Sequence, residues 1–332
     1  MDIEKLKGIF DKFADNTNLI KGKNLGNGSF GLVYEVTDKK SKKEYAGKLL
    51  IRNNSEQFNE PDLIKEFRGP NIIKFTNIFN QKYEKQDYSL ILMEKAQLKE
   101  LQTVVKGLIN NNILNLIFKY PFEIIGDNLI RFFIKQLVEG LELLDRSSYC
   151  HFDIKPNNIL ICYFLTLKFS DFGLLRNPEV IKDEDEKVKI PGGTEGYLPP
   201  DYYINKNHKV SYEESIKYDY FALGATIFYI KFGKKMLNFK KFTDGLITAD
   251  YIIELLQKNM DEIKSEKSFD KDFIDFLCSL IQFRAKDRPN IEEIYRNKWL
   301  NRNWEDILEV FEINKSNEMK LILELDKSDY LF

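Results

Sequence analysis

The chain has little that reacts by itself: three cysteines, two histidines and nine prolines in 332 residues. Cys150, Cys162 and Cys278 lie far apart, and His151 and His208 complete no zinc-ligand spacing with them. That excludes a disulfide framework and a structural zinc site, and points to a reducing compartment. The adjacent pair Cys150-His151 does not read as a thiol and its base, because neighbours on an extended backbone point to opposite faces. Cys150 is expected to be a small buried core residue. Neither sign of charge dominates: 50 basic against 52 acidic residues, net -2, give no overall pull towards nucleic acid or an anionic membrane. Long apolar runs are missing too. The longest, "YFALGATIFYI" at residues 220–230, is too short to cross a bilayer and predicts a buried core helix. The start, "MDIEKLKGIF", is charged and amphipathic and does not read as a leader. These absences predict a cytoplasmic protein with no membrane span. What is present, 43% apolar and 31% charged residues, suits a globular chain long enough to bury a sizeable core in one large or two ordinary domains.

Ile3, Leu6, Ile9, Phe10 and Phe13 follow helical spacing and predict a short amphipathic helix over residues 3–13. From Leu19 to about Met93 the period changes. Short apolar runs ("LIKGKNL", "GLVYEV", "EYAGKLL", "IIKFTNIF", "YSLILME") separated by Gly, Asn and Lys predict mostly antiparallel strands, with one short helix in "EQFNEPDLIKEF". Beyond Leu98 helices dominate. Residues 127–146 predict a long one capped by Asp127, "DYFALGATIFYI" and "FIDFLCSLI" two more, and "NILIC" with "LKFSDF" a strand pair. The pattern is a small strand-rich lobe followed by a larger helical one, and a cleft between lobes is a common ligand site.

"GNGSFGLV", residues 26–33, fits G-x-G-x-x-G-x-V. A dinucleotide-binding turn has a similar pattern but runs from a strand into a helix. Here an alternating run follows, so the loop joins two strands. Gly26, Gly28 and Gly31 would let backbone N–H groups approach phosphate oxygens, although a plain glycine turn fits these residues equally well. The next strand, "YAGKLL", carries Lys48 with Ala46 on the same face. A lysine there can hold phosphate oxygens as a point charge, and needs an acidic partner. Glu60 and Glu66 compete for that role. Four positions after Glu60 comes Ile64, suited to packing, whereas four after Glu66 comes Pro70, which would end a helix. Glu60 is the expected partner.

"HFDIKPNNIL", residues 151–160, sets three polar groups at short spacing. Asp153 can accept or orient a hydroxyl proton, Lys155 can neutralise a phosphoryl group in transfer, and the amide oxygen of Asn158 can ligate a metal. In "KFSDFG", Asp171 can bridge magnesium to nucleotide phosphates; magnesium keeps several waters, so one carboxylate and one amide oxygen suffice.

These motifs, with "GTEGYLPPD" at residues 193–201, occur in the order and spacing of eukaryotic protein kinases, and the chain resembles that family from about Leu19 to Leu300. The resemblance implies an α+β, two-lobed protein kinase fold: an antiparallel-sheet N-lobe at 19–96 and a mainly helical C-lobe at 97–300. An N-terminal amphipathic segment (1–18) and a helical extension (301–332) would flank it. It implies ATP and Mg2+ as cofactors and a protein hydroxyl as acceptor. Leu25 and the glycines would belong to the nucleotide site. Val33, Ala46 and Leu160 would sandwich adenine, with Met93 behind it and the backbone of Glu94 and Ala96 bonding the base. Asp219 would anchor the catalytic loop, and Arg288 would pair with Asp201. Lys155 and Thr194 are the residues of families acting on serine and threonine.

Two departures stand out. Phe152 precedes the catalytic aspartate where many kinases carry the arginine that receives an activation-loop phosphate. Between Gly173 and Thr194, "LLRNPEVIKDEDEKVKIPGG" has no serine, threonine or tyrosine. Receptor and acceptor are missing together, so no activating phosphorylation of this loop is expected. The acidic "DEDE" (183–186) reads as a solvated face in preference to a phosphate mimic against Arg176 or a lysine, and the basic residues 231–241 as an exposed loop. Asp201 stands where glutamate is usual. Because Lys48, Asp153, Asn158 and Asp171 are all retained, a scaffold that only binds nucleotide or partners is the lesser alternative. A small-molecule kinase of similar fold is disfavoured by "GTEGYLPPD" and "DRP".

Overall fold

A computed structural model describes residues 3–28, 31–52, 67–111, 122–181, 183, 185, 187–204, 208–237, 249–265 and 270–302. The chain divides into two compact units, residues 1–97 and 98–332. The predicted helix of "EQFNEPDLIKEF", with Glu60 and Glu66, lies outside the described residues, and so does the extension from 303 onward.

The first unit opens with α1 (Ile3–Asn16), which continues one turn beyond the apolar pattern. It ends where Thr17 Oγ1 donates to Phe13 O (2.5 Å) and Asn18 adopts φ 58°, a left-handed stop that asparagine tolerates. Strands β1 (Leu19–Gly28), β2 (Gly31–Asp38), β3 (Glu44–Arg52), β4 (Phe75–Tyr83) and β5 (Gln86–Met93) follow. They form one antiparallel sheet in the order β1-β2-β3-β5-β4. Strand alternation gives the sheet two different faces. Leu32, Tyr34, Val36, Leu49, Leu90 and Leu92 turn to one side and bury Leu6, Ile9, Phe10 and Phe13 of α1 against them. Each large apolar side chain so buried contributes roughly 1.5–3 kcal/mol, so α1 is integral to the core of this unit. Register puts Val33 opposite Lys48 and Ala46 opposite Met93, so these four share the other face.

The second unit is mainly helical. Helices α2 (Leu101–Asn111) and α3 (Phe122–Arg146) lead to the hairpin β6 (Ile159–Cys162) and β7 (Thr166–Phe169). α3 begins before Asp127, so that residue lies inside the helix and is not its cap; "FEII" ahead of it is compatible with helix, and Pro121 precedes the start as proline often does. A short pair, β8 (Val188–Lys189) with β9 (Lys209–Val210), flanks α4 (Pro200–Ile204). The helix expected from "YFALGATIFYI" is α5 (Tyr212–Phe232), started by a Ser211/Glu214 capping box and stopped by Gly233 at φ 68°. Residues 218–229 of α5 are all buried. Helices α6 (Ala249–Ser265), α7 (Lys271–Leu280) and α8 (Ile291–Tyr295) complete the unit, and Trp299 is sealed against Phe273 and Phe276. Among the described residues no helix is long and apolar enough to cross a membrane.

Candidate active site

The decisive turn, residues 151–158, connects α3 to β6. Its backbone is held from below by α5: the fully buried carboxylate of Asp219 accepts from the N–H of His151 (2.6 Å) and of Phe152 (2.9 Å). This matters because Phe152 sits at φ 60°, a region costly for a bulky side chain, on the order of 1–3 kcal/mol. Two charge-assisted hydrogen bonds and apolar burial of the ring offset that cost. The Phe152 ring packs with Cys150, Val188, Ile190, Leu198 and Val210, and lies edge-on to Tyr218 at 6.1 Å. Cys150 is buried as expected, and burial first, then the Asp219 charge, pushes its thiol well above the usual range. It is no nucleophile.

Burial also pushes the Asp219 carboxyl up to about 7, against the two N–H donors that favour its charged form. Its folded value lies above the ordinary 3.8, so its stabilising contribution is complete below 3.8 and declines as pH rises through 7. Wild type is therefore expected to lose stability relative to Asp219→Asn as pH goes from about 5 to about 8. A gap between the two melting temperatures that stays constant over this interval would contradict that.

His151 fixes the next residue. Its buried ring accepts from Asp153 N–H at Nδ1 (3.3 Å) and donates from Nε2 to Ser170 O (3.2 Å), and burial holds it neutral. Sequence reasoning overlooked His151 and Ser170, although a histidine two positions before the aspartate was a signal.

Around Asp153 the polar groups close into a network. Lys155 Nζ lies 2.7 Å from Asp153 Oδ2 and donates to Thr194 Oγ1 at 2.6 Å; Thr194 donates to Asp153 Oδ1 at 2.6 Å. Asn158 Nδ2 donates to both Oδ2 and the backbone oxygen of Asp153, each at 2.8 Å. Thr194 can come so close because Gly193, at φ 150°, lacks a Cβ; one there would lie 2.8 Å from Phe152 O and 2.6 Å from Leu198 Cδ2. The neighbouring Asn157 ties the turn to Glu100, just ahead of α2 (3.1 Å), and to Gln102 within it.

With Nδ2 spent on Asp153, Asn158 presents its amide oxygen on the opposite end, the donor type a hard cation takes. Asp171 is brought to the same end of the β6–β7 hairpin, because Ser170 bonds Asn158 O through both N–H (2.9 Å) and Oγ (3.0 Å). Asp171 is half-buried at φ 58°. An amide oxygen and a carboxylate are both donor types that Mg2+ takes.

In the first unit the expected nucleotide residues Val33, Ala46, Lys48 and Met93 share one face, with Lys48 6% exposed. A Cβ on Gly26 would meet nothing within 4 Å, so no neighbouring group calls for glycine there. Gly28 pairs with Gly31 at the end of the hairpin, and Leu25 is exposed. Gly31 has a different reason: a Cβ there would lie 2.0 Å from Leu49 O, so this glycine permits contact with β3. Glu94 N–H is already bonded to Lys74 O (2.9 Å), which leaves only its carbonyl for a base; Ala96 is half-buried. Leu160 belongs to the second unit, on β6.

A family model, "Protein kinase domain", matches residues 19–300. The chain belongs to the protein kinase family. An Aurora kinase of Candida glabrata is 28% identical over 85% of this chain and 70% of its own length. The serine/threonine-protein kinase par-4 of Caenorhabditis briggsae is 25% identical over 83% of this chain and 40% of its own length. The serine/threonine-protein kinase polo of Drosophila melanogaster is 24% identical over 83% and 43%. The chain thus spans less than half the length of the last two.

As a kinase it has the expected two-lobed fold: a five-stranded antiparallel N-lobe and a helical C-lobe. The kinase pair Arg288–Asp201 forms at 2.5 Å despite the shorter acid, with the Arg288 side chain fully buried. Arg288 also donates to Gln282 O and Phe283 O, each at 3.0 Å. Within the acidic run, Asp183 pairs with Lys209 at 2.5 Å and accepts from the N–H of Asp185 and Lys187. It pins the β8–β9 pair, which the reading as a solvated face did not foresee. Of the basic residues, Lys234 is taken by Glu262 and Lys235 by Glu195 O; those from 238 on lie outside the described residues.

Proposed function

We propose that this protein is a serine/threonine protein kinase that transfers the γ-phosphoryl group of ATP to a protein hydroxyl and needs no phosphorylation of its activation segment. The observation that carries this is the closed Asp153–Lys155–Thr194–Asn158 network: two features of serine- and threonine-directed families, Lys155 and Thr194, meet on the carboxylate that would take the hydroxyl.

Catalysis of this kind is mainly positioning and electrostatics. Asp153 orients the acceptor hydroxyl and takes its proton at Oδ1 or Oδ2. Lys155 neutralises charge on the group in transfer. Lys48 holds phosphate oxygens, with Glu60 as its partner, beneath the backbone of Gly26, Gly28 and Gly31. By the family resemblance Val33, Ala46, Leu25 and Met93 of the first unit are read as apolar residues for adenine, as is Leu160 of the second, and Glu94 C=O and Ala96 are read as bonding the base. Asn158 and Asp171 would hold Mg2+, which when bound neutralises the phosphates. The domain is read as 19–300, flanked by 1–18 and 301–332. The protein is read as cytoplasmic, with protein substrates and no nucleic-acid partner.

Freedom from priming rests on Phe152. Its ring anchors to Val188 and Ile190 of the activation segment by apolar burial, where a guanidinium would need a phosphate. The test is transfer from Mg-ATP to a mixed serine, threonine and tyrosine peptide set by phosphatase-treated protein. Serine and threonine peptides are expected to be labelled at the untreated rate. Labelling confined to tyrosine peptides, or abolished by the phosphatase through a site in the segment, would overturn the proposal.

Gly193→Ala supplies a second check. The added Cβ forces the loop off Phe152 O and pulls Thr194 from Asp153, so transfer should fall on the order of a hundredfold. Steady-state rates decide; an unchanged kcat would show that the Thr194 contact is dispensable.

A further inference from the structure

Residues 3–16 precede the family match, yet the tip of one α1 side chain, Phe10, reaches the strand that carries Lys48. Phe10 is fully buried, its ring 4.8 Å from that of Tyr34. Tyr34, Gly47 and Leu92 form one row across the sheet, and Gly47 is its gap. A Cβ at Gly47 would lie 3.3 Å from Phe10 Cζ, 3.2 Å from Val36 Cγ1 and 3.3 Å from Leu90 Cδ1. No left-handed backbone calls for glycine there. Space does: the missing side chain is the notch into which the tip of Phe10 fits. The next residue in the strand, on the opposite face, is Lys48.

We propose that Phe10 is a positioning residue for Lys48. Glycine weakens a strand interior because it offers no side chain to pack, so the backbone at Gly47 takes its support from whatever lies on it. Successive strand residues point to opposite faces, so the height at which the Phe10 ring supports Gly47 sets the direction in which Lys48 leaves the sheet. α1 is thereby part of the phosphate-holding apparatus. This rests on reading Lys48 as the lysine that holds nucleotide phosphate.

The experiment uses the full chain and two readouts. One is the rate at which an amine-reactive ester acylates Lys48, followed by mass spectrometry without nucleotide and again with Mg-ATP. The other is kcat at saturating ATP, with KM for peptide. The variants are Phe10→Ala, Gly47→Ala and the double change Phe10→Leu with Gly47→Ala, which trims the ring and fills the notch. Phe13→Ala is the control: it empties the same helix–sheet core beside Tyr83, at 5.7 Å, away from Gly47. Phe10→Ala should speed acylation about threefold or more and lower kcat about tenfold, in line with the cost of small misplacements. The double change should bring both within about twofold of wild type, and Phe13→Ala should move neither.

Equal effects of Phe10→Ala and Phe13→Ala, or no recovery in the double change, would overturn the proposal and leave α1 a structural support. If Phe10→Ala does not fold, the contrast between Gly47→Ala and the double change decides the same question. Mg-ATP protection of Lys48 is read separately. Its absence in wild type sinks the phosphate role of Lys48, whereas protection without any Phe10 effect sinks only the positioning.

Discussion

Asp153→Asn is expected to cut phosphoryl transfer roughly a hundred- to ten-thousandfold, the range for losing a positioned general base. The carboxylate accepts at Oδ1 from Thr194 and at Oδ2 from both Lys155 and Asn158, so every neighbour is a donor. An asparagine brings two further donors into that ring. Whichever way the amide turns, its NH2 faces either Thr194 or Lys155 and Asn158. The variant should therefore also lose about 1–3 kcal/mol of stability. Mg-ATP binding should survive, because Asp153 is not among the residues read as holding nucleotide. Rates on serine and threonine peptides, measured below the melting range, are the check. A variant within tenfold of wild type would show that Asp153 is not the base.

The largest effect on folding is expected from Arg288→Ala. Its guanidinium is fully buried, paired with Asp201 at 2.5 Å and bonded to the carbonyls of Gln282, Phe283 and Lys217 besides. Burial lowers its pKa and the Asp201 charge works against that. Truncation leaves the carboxylate of Asp201, 8% exposed, without its counter-charge. Breaking such a pair costs about 3–5 kcal/mol, and denaturant unfolding would measure it. A loss under about 1 kcal/mol would mean that water reaches Asp201 once the arginine is gone.

The sheet and the core helix were legible because their periods differ: "GLVYEV" alternates while "YFALGATIFYI" is apolar throughout, and these are β2 and the centre of α5. The Asp219 anchor and the Arg288–Asp201 pair followed from motif resemblance, and both form. Contacts without a local pattern stayed hidden. Gly47 looked like an incidental residue between Ala46 and Lys48, since its reason lies 37 positions upstream in Phe10. Asp183 looked solvated because its partner, Lys209, follows after α4. Gly31 belonged to a phosphate-loop pattern, yet β3 supplies a steric reason of its own. The start of α3 was missed because "FEIIG" has no capping residue of its own while Asp127 offered a false one.

The anchor at Phe152 has a consequence in the physics of its surroundings. Where a phosphate meets an arginine, added salt screens the attraction. The grip of Phe152 on Val188 and Ile190 is apolar, indifferent to moderate salt and weaker in the cold. This contact should therefore hold through a rise in ionic strength and loosen on cooling, whereas the Asp183–Lys209 pair between the same segment and β9 is the part that added salt weakens.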